Sequence, residues 1–163
     1  MHAFLGYLLV YVIAGFAVHS YMHESQRNGS YRDLKKPHWA PSIRNLGILL
    51  AIEFVFAAIA GARTDRDHNP AIFLALWLPL LANCGWLFYL FNRSEPRNAW
   101  YWGLAAAIFT IYQGCVYNRY DAVAGALMWF NVIVTIYIAA ILFEMMRDNR
   151  RGKHGHGKKH GHE

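Results

Sequence analysis

The chain has 163 residues, of which 56% are hydrophobic, 16% aromatic and 16% charged, and its formal net charge is +6. A soluble domain carries roughly a quarter charged residues and just under half apolar ones, so both departures point toward lipid. They exclude a disordered chain, a disulfide scaffold (there are only two cysteines) and an ordinary cytosolic α/β enzyme.

A transmembrane helix needs roughly 17–25 predominantly apolar residues to cross about 30 Å of hydrocarbon, and five segments meet that requirement. The first, residues 4–22, is uncharged except for what His19 contributes. It is too long for a removable signal peptide and lacks the basic start and small-residue cleavage site of one. The second, 46–62, holds one acid, Glu53. The third and fourth, 71–91 and 99–116, hold no charged residue, and the fifth, 122–146, has Glu144 only near its exit. None shows the strict alternation of a lipid-facing barrel strand, and a helix satisfies its own backbone polar groups in hydrocarbon. The expected fold is all-α and integral to the membrane: a bundle of five transmembrane helices in one domain, residues 1–146. Residues 147–163 read as a basic, histidine-rich disordered tail.

Lysine and arginine set the orientation. Thirteen lie in the first loop, the third loop and the tail, against three (Arg63, Arg66 and Arg119) on the opposite side. The C-terminus and the long first loop are therefore expected to face the cytosol. The same asymmetry, with membrane lipid as the partner, accounts for the positive charge without nucleic acid. Trp100, Tyr101 and Trp102 at the start of the fourth helix, and Tyr117 and Tyr120 at its end, read as interfacial belts. Trp77, Trp86 and Trp129 lie deeper, where each indole N–H wants an acceptor or a polar cavity.

The best polar constellation is in the third helix. Asn83 and Trp86 are three apart and share a face, which Tyr89 and Leu90 continue. An amide at this depth is costly unless it points into the bundle, and Pro79, four residues earlier, removes a backbone donor. Glu53, Asn131 with Thr135, and Thr110 with Gln113 add further inward polar groups. Together they suffice to line a cavity, but no catalytic triad or metal cage is among them. Small-xxx-small pairs at Ala57/Gly61 and Gly103/Ala107 allow close helix approach, within the chain or across a homodimer.

Residues 31–42 of the first loop read Tyr-Arg-Asp-Leu-Lys-Lys-Pro-His-Trp-Ala-Pro-Ser. Pro37 and Pro41 bracket Trp39 and fix the backbone on either side, so the loop is expected to drape over the bundle mouth as a lid. This segment resembles the first-loop motif of the tryptophan-rich translocator protein family, also known as the peripheral benzodiazepine receptors and, in bacteria, the tryptophan-rich sensory proteins. Tyr31, Leu34, Lys36, Pro37, Trp39 and Pro41 match it. Ala82-Asn83-Cys84-Gly85-Trp86, running to Phe88-Tyr89-Leu90-Phe91, looks like the family's N-x-x-W with its aromatic pair, and Trp100 stands where the family often opens its fourth helix. The chain departs from the pattern as well. Ser30 and Ser42 replace an aromatic and a proline of the loop, Ile48 and Leu50 stand in place of a Pro and a Trp in the second helix, and Met128-Trp129 is the nearest equivalent of a Pro-Tyr-x-x-Trp in the fifth. Leu87-Phe88-Tyr89, running to Arg93, satisfies a short cholesterol pattern.

The resemblance implies a five-helix bundle whose pocket opens under the first loop and binds or transports flat hydrophobic molecules, with porphyrins such as protoporphyrin IX or haem, and sterols, as ligands and no required cofactor. The candidate ligand-binding residues are Tyr31, Pro37, Trp39, Pro41, Glu53, Asn83, Trp86, Trp100 and Trp129. The resemblance also implies a homodimer, and a mitochondrial outer membrane or a bacterial cell envelope as the location. The alternative is a membrane-embedded enzyme acting on a lipophilic substrate, porphyrin degradation included; it lacks a second convergent titratable group beside Glu53 or His19. In the tail, His154, His156, His160 and His162 alternate with glycine and lysine. Such tracts capture zinc, copper or nickel, against which stands a solvated tail acting as a topology anchor.

Overall fold

The computed structural model describes residues 2–28, 31, 33–64 and 69–155. Its elements are α1 (His2–Asn28), α2 (Ile43–Thr64), α3 (Pro70–Leu87), a π-helical turn (Phe88–Asn92), α4 (Pro96–Tyr120) and α5 (Ala122–Gly155). Each expected span lies inside one helix except the third, 71–91, which runs from α3 into the π-turn. Four stretches, Leu5–Ser25, Ile43–Thr64, Pro70–Asn92 and Ala122–Arg150, are long and apolar enough to cross a membrane. At 25 residues α4 is long enough too, but polar residues at its ends and Gln113 dilute it. Its inward stripe of Ala99, Gly103, Ala106, Thr110, Gln113 and Tyr117 is buried against α3 and α5. Around the bundle the order is α1, α2, α5, α4, α3, and the π-turn closes the ring against α1.

Local chemistry sets the helix ends, which is why the helices outrun their apolar centres. Ser42, in place of the motif's second proline, is the N-cap of α2: its Oγ accepts from the Asn45 N–H at 3.2 Å. Asn69 caps α3 through the Ala71 N–H (2.9 Å), with Pro70 at the first helical position, where its missing donor costs nothing. Asp121 caps α5, its Oδ1 accepting from the Ala124 N–H at 2.8 Å.

α5 runs on past residue 146 as far as Gly155, and Asn149, beyond the expected span, is tied to the first loop. The Lys35 N–H donates to its Oδ1 (3.2 Å), and its Nδ2 donates to the Lys35 carbonyl (2.9 Å). The same bonds put the first loop and the end of α5 at one end of the bundle. At the other end Arg63 grips Asp121 through Nε and Nη2 (3.0 and 2.9 Å), and Asn69 donates to the Tyr120 hydroxyl at 2.5 Å.

Asp121 serves both α5 and this far-end clamp. Hydrogen bonding from Arg63, then from the Ala124 N–H, holds its carboxyl below the usual carboxylate range. A depressed folded-state value means that the stabilisation is present above the unfolded value near 3.8 and is lost as pH falls through the folded value. Asp121→Asn is expected to lower the melting temperature of the detergent-solubilised protein at pH 7 and to flatten its fall below pH 4. A parallel fall in both proteins refutes the clamp.

The small residues act within the chain. A Cβ on Gly61 would meet the Tyr7 ring at 2.8 Å, and one on Gly103 would meet Leu142 Cδ1 at 2.5 Å, so these positions seat α1 on α2 and α4 on α5. Trp102 belongs to this packing as well as to the membrane surface. It lies over Gly85 of α3, where a Cβ would come within 2.5 Å of the indole.

Candidate functional site

The first loop is built around Tyr31 and a tight turn. Ala40 N–H donates to the Pro37 carbonyl (3.0 Å), so His38 and Trp39 sit at the tip of a turn between the two prolines. Tyr31 is buried with its ring 4.8 Å from that of Phe91, and burial pushes its phenol above the ordinary tyrosine range. Lys36 folds back over the same ring, its Nζ 4.1 Å from the centroid and donating to the Tyr31 carbonyl at 3.2 Å. Desolvation draws its ammonium down from the usual lysine range, with Asp33 opposing. Trp39 is half-buried and lies on the side of α5: its ring centroid is 5.6 Å from that of Tyr137, whose hydroxyl donates to the Trp39 carbonyl at 3.0 Å. With the Asn149 bonds to Lys35, the loop is strapped to α5 at two points.

Phe91 reaches Tyr31 because of the π-turn. The wide turn rotates each residue by less than an α-helix does, which swings Phe91 inward beside Trp86, Leu87 and Leu90, all buried. Leu90 continues the Asn83–Trp86 face as expected; Tyr89 does not, and is half-buried beside Phe88. The turn ends at Ser94, in the left-handed region at φ 53, with the Glu95 N–H reaching back to the Tyr89 carbonyl at 2.9 Å.

Inside the bundle Asn83 and Trp86 form the expected pair, but they spend it on each other. Trp86 Nε1 donates to Asn83 Oδ1 at 2.8 Å, and both residues are buried. Asn83→Leu is therefore expected to destabilise the bundle by about 1–3 kcal/mol, the cost of an orphaned buried donor, and to shift Trp86 emission. Unchanged emission would break the pair. Deeper still, Thr135 Oγ1 donates to both Glu53 Oε1 (3.0 Å) and the Asn131 carbonyl (2.8 Å), while Asn131 Nδ2 donates to the Glu53 backbone carbonyl (2.9 Å). Among the described residues Glu53 Oε2 and Asn131 Oδ1 have no partner.

Three spaces run inward from the loop. A cavity of about 370 Å³ lies between the loop and the end of α1, lined by Ser25, Tyr31, Lys36, Pro37, Pro41 and Ile43 among others. Next comes a slot of about 10 Å³ that Tyr31 and Pro41 share with Trp86, Leu90 and Ile138. Below that lies a polar chamber of about 20 Å³ bounded by Glu53, Asn83, Thr110, Gln113, Asn131 and Thr135. The last two are the size of a water; only the first has the volume of a ligand pocket.

The structure thus brings Tyr31, Pro37 and Pro41 to one ligand-sized space, puts Trp86 in the wall of the slot beneath it, and sets Glu53 and Asn83 around the chamber. It separates the other tryptophans from these spaces. Trp39 straps the loop, Trp100 packs on Tyr101 and Phe143 (5.1 and 5.6 Å), and Trp129 is 43% exposed on α5, lying against Gly114. Of the tail histidines, His156, His160 and His162 lie outside the described residues, and of His154 only the helical backbone is described. No group of three metal-ligating side chains occurs among the described residues. Sequence reasoning missed Lys36 as a cavity residue, and Tyr137 and Asn149 as anchors of the loop. Lys36 stood in the loop motif and was legible as a rim cation; the other two partner backbone atoms far away in the chain and carry no local signal.

A lid over five helices with an N-x-x-W pair beneath it is the arrangement the loop motif implied, and comparison with protein-family models decides the matter: the model of the TspO/MBR family matches residues 7–147. The chain belongs to the TspO/MBR family. The match spans all five helices and the loop, so this TspO/MBR protein is an integral membrane bundle, and the membership implies a binder of small hydrophobic ligands of the tetrapyrrole or sterol kind. A search of curated proteins finds no match.

Proposed function

We propose that this TspO/MBR protein binds and moves flat, amphiphilic molecules, porphyrins foremost and sterols second, taking them up beneath the first loop from the cytosolic side. The observation that carries the reading is the cavity of about 370 Å³ under the loop, with apolar walls, the Lys36 ammonium on its rim and Tyr31 between it and the Trp86 slot. An apolar pocket with one fixed cation suits a ring system bearing carboxylates. The thirteen basic residues that the sequence assigns to the first loop, the third loop and the tail support a cytosolic mouth.

Titration with protoporphyrin IX, followed by tryptophan quenching, with cholesterol as the uncharged comparison, tests this. Lys36→Gln is expected to weaken porphyrin binding by up to about tenfold, the worth of one charge-assisted hydrogen bond, and to leave the sterol unaffected. Equal losses for both ligands, or none, refute the cavity as the site. Illuminating the complex separates binding from porphyrin degradation, since a binding protein returns the porphyrin intact.

A further inference from the structure

A groove of about 510 Å³ lies apart from the lid and the polar chamber, on the outside of the bundle between α1 and α2, near the loop end. Gly15 and Gly47 form its floor. A Cβ on either would meet only ordinary neighbours, Phe54 at 3.7 Å and Met22 at 3.8 Å, so the missing side chains leave room rather than permit a clash. The inner half is apolar, ending at Phe54. The outer half carries His19, His23 and Arg44, and among the described residues no acid lines it.

The position of these three groups is specific. The apolar stretch of α1 ends at Ser25 and that of α2 begins at Ile43, so His23 and Arg44 sit at headgroup depth. His19 lies one turn below His23 on the same face, its ring centroid 6.4 Å away. All three side chains donate hydrogen bonds, Arg44 with a fixed charge, and a lipid-facing groove that narrows from donors to methyl groups has the polarity of a phospholipid. The loop end of the bundle also carries Lys35, Lys36, Arg93, Arg97 and Arg147, which enrich anionic lipid there.

We infer that the α1/α2 groove is a binding site for one acidic phospholipid, its phosphodiester held by Arg44, His23 and His19 and an acyl chain lying along Gly47 and Gly15 to Phe54. The site is distinct from the cavity beneath the loop and does not depend on what binds there.

Native mass spectrometry of the full chain, released from mixed micelles holding equal phosphatidylglycerol and phosphatidylcholine, tests the inference. One phosphatidylglycerol per chain should be retained with about a tenfold preference. The double substitution His23→Gln, Arg44→Gln leaves the groove's shape intact and should bring the preference close to unity. Arg93→Gln with Arg97→Gln, basic positions at the same end but outside the groove, should preserve it. Gly47→Leu fills the floor and should abolish retention of both lipids. Equal retention of the two lipids by the unsubstituted chain overturns the inference. So does an unchanged preference after His23→Gln, Arg44→Gln, or an equal loss with the Arg93/Arg97 variant, which would reduce the effect to diffuse surface charge. Displacement of the lipid by protoporphyrin IX in the unsubstituted chain, but not after Lys36→Gln, would assign the lipid to the cavity under the loop and overturn it as well.

Discussion

Glu53→Leu is expected to raise the stability of the bundle and to leave tetrapyrrole affinity at the cavity under the loop unchanged. The carboxyl is 4% exposed in the middle of a span, shares one hydroxyl donor with the Asn131 carbonyl, and leaves Oε2 with no partner among the described residues. A buried polar group so poorly compensated costs more than its single hydrogen bond contributes. The Thr135 hydroxyl keeps the Asn131 carbonyl when the carboxyl goes, and Asn131 keeps the Glu53 backbone carbonyl, so little else is orphaned. The gain should be about 1–3 kcal/mol, read as a rise in melting temperature in detergent. Glu53→Gln, which can turn a donor toward Asn131 Oδ1, should rise less. Glu53 bounds the chamber of about 20 Å³ and not the cavity under the loop, so tetrapyrrole affinity should hold in the same variant that becomes more stable. A fall in melting temperature would show instead that Glu53 holds the helices together.

The second large effect is kinetic. Asn149 grips both the N–H and the carbonyl of Lys35, and Tyr137 holds the Trp39 carbonyl. With each hydrogen bond worth about 1 kcal/mol, loss of the two that Asn149 makes to Lys35 in Asn149→Ala should speed protoporphyrin IX dissociation by about thirtyfold. Combined with Tyr137→Phe, the acceleration should approach a hundredfold, since about 1.4 kcal/mol is one decade. Stopped-flow quenching gives the rates, and limited proteolysis within residues 33–42 reports the freed loop. A loop that becomes sensitive to protease while the dissociation rate stays fixed would show that the loop does not gate the cavity.

Much of this was legible in the chain. The five spans, their order and the lid follow from charge spacing and from two prolines around a tryptophan, and the Asn83–Trp86 pair follows from a spacing of three. What escaped is packing density and register. A membrane helix is apolar on its lipid face and on its core face alike, so periodicity does not say whether an aromatic lines a cavity or plugs it, and Trp86 plugs. The π-turn at Phe88–Asn92 leaves no mark in an apolar run, so Phe91 took the place expected for Tyr89. The tie between the end of α5 and the first loop was not legible either, because Asn149 is held by a residue 114 positions away. The α1/α2 groove depends on two glycines whose spaces face each other only after folding.

The two ends of the bundle are fastened differently. Arg63, Asp121, Asn69 and Tyr120 knit all of α2 through α5 together at one end by side chains rooted in the helix termini. At the other, a loop hangs by two side chains of α5. Among the described residues the looser fastening is therefore at the loop end. If the cavity under the loop is the site, as proposed, its guest exchanges at that end, and the two side chains of α5 that hold the loop set how fast.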